Sequence, residues 1–89
     1  MKIIEDLTKE QKDVLIFSLE SVSTKTVNTI KDLRMIDKIC KILEKPDAII
    51  ELEDADYTFL KNRFEHYDQW NPTSEMRKLI LETADKLNG

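Results

Sequence analysis

Five cations, Lys31, Arg34, Lys38, Lys41 and Lys45, recur at intervals of three and four residues near the middle of an 89-residue chain. On a helix turning about 100° per residue they form one narrow stripe. Such a stripe can hold phosphates, releasing counterions as it does so, which makes affinity fall as salt rises. It can also meet an acidic protein surface, where it steers association and fixes register. The third reading is a solvated face whose Lys38 and Lys41 pair with Asp37 and Glu44 along the same helix.

Other chemistry is sparse. One His (His66) and one Cys (Cys40), 26 positions apart, do not supply metal-ligand spacing. The acidic cluster Glu51, Glu53, Asp54, Asp56 lacks the Gly and terminal Glu of a calcium loop. The only Gly is the last residue, so no glycine-rich phosphate loop exists. Cys40 falls on an apolar arc without a His base nearby in sequence, the pattern of an inert core thiol. Paired acids that cleave sugars need a cleft, which a domain of this size seldom encloses. The expectation is a non-enzyme with no catalytic residue, no cofactor and no metal site.

Composition sets the remaining bounds. With 40% hydrophobic and 36% charged residues, the chain reads as one small folded domain. A net charge of -4 and a pI near 5.0 weigh against a bulk nucleic-acid binder. A lone Cys suggests a reducing compartment, and no run approaches the roughly 20 apolar residues of a membrane span. MKIIEDLTKE lacks the features of a secretory leader. A cytoplasmic location without membrane contact is expected.

The elements that must position the stripe follow from the pattern. MKIIEDL is a helix start or an edge strand. Thr8 and Gln11 have capping-box spacing and open a helix to about Ser21. Within it Val14, Leu15, Ile16 and Phe17 cover most of the circumference, implying either burial on several sides or an apolar patch offered to a partner. Val14, Ile16 and Phe17 are therefore candidate contact residues, with a second copy or another protein as partner and a homo-oligomer as the expected state.

Ser21 to Asn28 is a loop or short strand. Thr29 caps the next helix, which carries the five cations on one side and Leu33, Met35, Ile36, Ile39, Cys40, Ile42 and Leu43 on the other. It should stop at Lys45, ahead of Pro46. Ala48 to Glu53 alternates as a strand with Ile50 and Leu52 on one face, pairing with the N-terminal KII, with Ser21 to Asn28 or with another subunit.

Asp54 or Asp56 caps a third helix to about Asp68, striped by Tyr57, Leu60, Phe64 and Tyr67. Asn71 and Pro72 open a fourth, to about Leu87, with Met76, Leu79, Ile80, Thr83, Ala84 and Leu87 facing inward. Leu81 points outward, and Gly89 suits a left-handed cap. The fold expected is mainly α: about four short helices packed as one small domain, with one short strand or hairpin.

LRMIDKICKILE followed by AIIELEDADYTFLKNRFEHYDQWNP resembles small accessory proteins of tailed bacteriophages. The shared pattern is a basic-apolar helix with an R-x-x-D-K core (Arg34, Asp37, Lys38), a strand reading I-x-L-x-D-x-D/E-Y (Ile50, Leu52, Asp54, Asp56, Tyr57), and a helix. The likeness spans about half of the chain. It implies a phage or prophage origin and a non-catalytic role in virion assembly or in modifying a host protein, within the host cytoplasm or a virion, and it carries over no functional residue. The alternative is a small nucleic-acid-binding regulator using the basic stripe, although the link of about eight residues between the first two helices is longer than a helix-turn-helix allows.

Overall fold

A computed structural model describes residues 1–21 and 28–89. The element order is β1 (Lys2–Ile4), α1 (Lys9–Glu20), α2 (Ile30–Leu43), β2 (Ile50–Leu52), α3 (Asp54–His66) and α4 (Ser74–Asn88). Among the described residues the domain is mainly helical, with four helices and one small antiparallel sheet in which Lys2, Ile3 and Ile4 pair with Leu52, Glu51 and Ile50. The N-terminal KII is thus the partner of the strand, and Leu7 N–H donating to the Ala48 carbonyl at 3.0 Å continues the pairing outward. The proposed alternative strand over Ser21 to Asn28 lies largely outside the described residues.

Period-two burial places Ile4, Ile50 and Leu52 inside, while Ile3 and Ile49 are about half exposed. In chain order α1 and α2 come between the two strands. Both helices begin with a complete capping box: Thr8 with Gln11, and Thr29 with Asp32. The Thr29 amide and hydroxyl hold the Asp32 carboxylate below the usual carboxylate range.

α1 packs against α2, α3 and α4, which explains its unstriped pattern. Three neighbours bury Val14, Leu15 and Leu19, and only one side is left to solvent. The core continues through Ile39, Cys40 and Leu43 of α2, Leu60 and Phe64 of α3, and Leu87 of α4. Leu33, placed by periodicity on the buried arc, is 54% exposed, as is Ile30 at 72%. α1 covers only the later part of α2: Lys12 and Ile16 meet its C-terminal end, and Glu20 lies close enough to Cys40 to act on its thiol.

Several boundaries differ from the sequence reading, among them the ends of α2, at Leu43 instead of Lys45, and of α3, at His66 instead of about Asp68. The N-cap of α3 is Glu53, without a side-chain cap bond, because Asp56 is turned inward to Lys38 and Asp54 meets the N-terminal ammonium. α4 starts at Ser74 with Thr73 as cap; Asn71 instead accepts the Thr73 amide in a local turn that precedes the helix. Gly89 does not adopt a positive φ, and its amide bonds the Asp85 carbonyl. The outward position of Leu81 is as the pattern requires, at 63% exposure.

Candidate protein-contact surface

The candidate residues separate into three groups. Val14 is buried in the core, so it is unavailable to a partner and leaves the set. Phe17, three positions on, is 52% exposed, and Ile16 is half buried. The difference is angular: α3 and α4 cover one side of α1 and α2 covers another, so Phe17 emerges on the uncovered side.

Phe17 is nevertheless held in place. The chain leaves α3 at Tyr67 in an extended conformation, and the connection to α4 brings Tyr67 and Trp70 back against α1. The Phe17 ring lies edge-on to Tyr67 at 5.7 Å between centroids and 5.8 Å from Trp70. Trp70 in turn contacts Tyr67 at 4.5 Å and the buried Phe64 at 5.5 Å. Edge-on and tilted contacts of this kind add to simple burial and fix ring orientation. The helical spacing places Tyr67 on the α3 stripe; it stands instead just past the end of α3, against Phe17.

On the other flank of α1 lies an open groove of about 510 Å³. Leu7, Ile16, Leu43, Pro46 and Ala48 give it apolar walls, and Lys9, Lys12, Asp13, Glu44 and Lys45 supply its charges. It joins Ile16 to Lys45, two predicted contact residues from different elements. Lys12, which the sequence reading missed, is 94% buried by residue surface. Its ammonium donates to the Lys45 carbonyl at 2.8 Å and to the Asp47 carbonyl, tying the turn that follows α2 to α1. The available signal was Lys12 standing four residues before Ile16 on the same helical face.

The basic stripe is not one free surface. Lys38 bonds the buried Asp56 at 2.8 Å and approaches Glu53 at 3.5 Å. Lys41 pairs with Asp37 at 2.8 Å, one turn away. Both ammonium groups are shifted upward, Lys38 chiefly by its bond to Asp56 and Lys41 by its bond to Asp37. Glu53 and Asp56 of the acidic cluster are thus engaged within the chain itself at Lys38, which is thereby a structural residue. Lys31, Arg34 and Lys45 form no ion pair among the described residues.

Burial pushes the Cys40 thiol up to about 11, with Glu20, Glu44 and Asp37 adding to the effect. A thiol so shifted is a poor nucleophile at neutral pH. His66 is exposed, with Nδ1 against the Asn62 carbonyl. Among the described residues no cluster of His, Cys, Asp and Glu could hold a metal ion, and no helix is long and apolar enough to cross a membrane. No protein-family model, curated protein or solved structure matches the chain.

Proposed function

We propose that this chain is a small non-catalytic protein-interaction factor whose contact surface is the outer side of α1, from Ile16 in the groove to Phe17 on the aromatic ridge. The observation that carries the reading is Phe17: a large aromatic side chain half open to water and buttressed by Tyr67 and Trp70. A preordered aromatic anchor loses little conformational entropy on docking, the property that concentrates binding energy in a few aromatic residues at interfaces. Partners of the kind implied by the phage resemblance are a virion component or a host protein; the apolar side of α1 adds a second copy of the chain. The self-association expected from the sequence belongs to the same proposal.

The test is light scattering with size-exclusion and affinity capture, comparing wild type with Phe17→Ser. The proposal expects assembly or capture that depends on Phe17. A monomer with no Phe17-dependent partner contradicts it.

Nucleic-acid binding by the stripe is the second reading, favoured only by Lys31, Arg34 and Lys45, which stand exposed without ion pairs among the described residues. With Lys38 and Lys41 engaged internally, few cations remain to release counterions, and the predicted salt slope is correspondingly shallow. Gel shifts at two salt concentrations separate the readings, since no binding at low salt removes this one.

A further inference from the structure

Lys12 is the least expected residue in the domain. Burying a charge is costly unless a partner compensates it. Its two acceptors are carbonyls, which carry partial charge only. An ammonium has three donors, and no described residue takes the third. Lys12 also lines a groove whose apolar walls are Leu7, Ile16, Leu43, Pro46 and Ala48 and whose other charged residues are Lys9, Asp13, Glu44 and Lys45.

We propose that this groove receives a carboxylate carried on an apolar segment of a protein partner, with Lys12 completing its third hydrogen bond and Lys45 supplying a second positive charge at the rim. This assignment rests on the protein-docking reading above and names the chemistry of what docks. The charge count argues for a single carboxylate over a phosphate. Lys9, Lys12 and Lys45 face Asp13 and Glu44, a surplus of one positive charge. Lys9 is already paired with Asp13 at 3.2 Å. A dianion would meet Glu44 and Asp13 without enough cations to offset it, whereas a monoanion leaves the site neutral.

The apolar requirement comes from the walls. Leu7, Ile16, Leu43, Pro46 and Ala48 offer no hydrogen-bonding side chain, so a ligand that places polar groups against them loses water contacts without replacement. Aliphatic side chains flanking the carboxylate suit that lining. They also exclude water from the ammonium, which strengthens the ion pair. Leucine on either side of a glutamate is the simplest segment with this chemistry.

The experiment uses the full chain and two capped tripeptides, acetyl-leucyl-glutamyl-leucinamide and its glutaminyl counterpart, whose ends carry no charge. Binding is followed by ¹H–¹⁵N chemical shifts. The glutamyl peptide is expected to move the amides of Lys12, Lys45, Asp47 and Ala48, and to bind about fivefold or more tighter than the glutaminyl one, as a charge-assisted bond requires. Lys12→Met should abolish that preference. Lys45→Gln should weaken it several-fold, and this variant keeps the test decisive if Lys12→Met does not fold.

Equal binding of the two peptides, shifts that map away from the groove, or an unchanged preference in Lys45→Gln together with any folded Lys12→Met would overturn the proposal. If the peptides fail while capture or assembly still depends on Phe17, only the carboxylate assignment is lost. A Lys12-dependent preference with no dependence on Phe17 supports the groove and removes the aromatic ridge from the contact surface.

Discussion

Replacing Lys12 with Met tests whether a buried ammonium holds the turn that follows α2. Methionine keeps most of the apolar stem and removes the charged tip, so lost packing contributes little. Two hydrogen bonds disappear, one of 2.8 Å to the Lys45 carbonyl and one to the Asp47 carbonyl. Bonds from a charged donor contribute about 1.5–3 kcal/mol each. Two corrections reduce the sum: the groove is open, so water can reach the freed carbonyls, and the variant no longer desolvates an ammonium.

A net destabilisation of about 2 kcal/mol remains, which in a domain of this size lowers Tm by roughly 8–16 °C. Urea unfolding followed by far-UV circular dichroism measures it. Lys9→Met serves as control. Lys9 shares the groove but is exposed and paired only with Asp13, so it should change stability by no more than about 0.5 kcal/mol. If Lys12→Met is as stable as Lys9→Met, the ammonium does not hold the turn after α2 and the reasoning fails.

Other expected outcomes follow from the same geometry. Ile39→Ala should cost about 2–5 kcal/mol in denaturant unfolding, since Ile39 is completely buried and its removal leaves a cavity; a cost within the range of surface substitutions would mean that the site collapses. Lys38→Glu should destabilise the domain more than Lys41→Glu, because only Lys38 faces a buried carboxylate, and equal unfolding midpoints would contradict the structural role of the Lys38–Asp56 pair. Stability should fall at alkaline pH. The unfolded Cys40 thiol ionises from its ordinary 9.0 while the folded one resists to about 11, and Lys38, raised above 10.5, loses its contribution as pH climbs through its folded value. Urea midpoints that stay flat from pH 9 to above 11 would refute both shifts. At neutral pH, Cys40 should react with a disulfide reagent only as fast as the domain opens, and immediate labelling of the native protein would contradict its burial.

Local signals were enough for much of the fold. The Thr8–Gln11 capping box, the Thr29 cap, the alternation of Ile50 and Leu52, the inward stripe of α4 and the outward Leu81 all depend on nearest neighbours along the chain. What sequence could not supply was competition between elements. Asp56 has the right type to cap α3, but Lys38 of α2 draws it inward, and that choice becomes visible only when the two helices lie side by side. Leu33 has the correct phase for burial, yet the helix that would cover it is displaced toward the other end of α2.

The contact surface shows the same division. Phe17 was identifiable as an apolar residue in excess of one stripe, whereas its clustering with Tyr67 and Trp70 depends on where the α3–α4 connection returns. Lys38 belonged to the basic stripe by spacing alone. Its removal from that stripe is a tertiary event, as is the meeting of Ile16 and Lys45 in one groove.

The most direct test of the contact surface is a photo-crosslinking residue in place of Phe17, activated in cells and compared with one in place of Leu81, which is exposed on α4. Discrete crosslinks to a protein, whether a second copy or another chain, are expected from position 17 and not from position 81. The same adducts from both positions, or none from position 17, would contradict the assignment of the outer side of α1 as the docking surface.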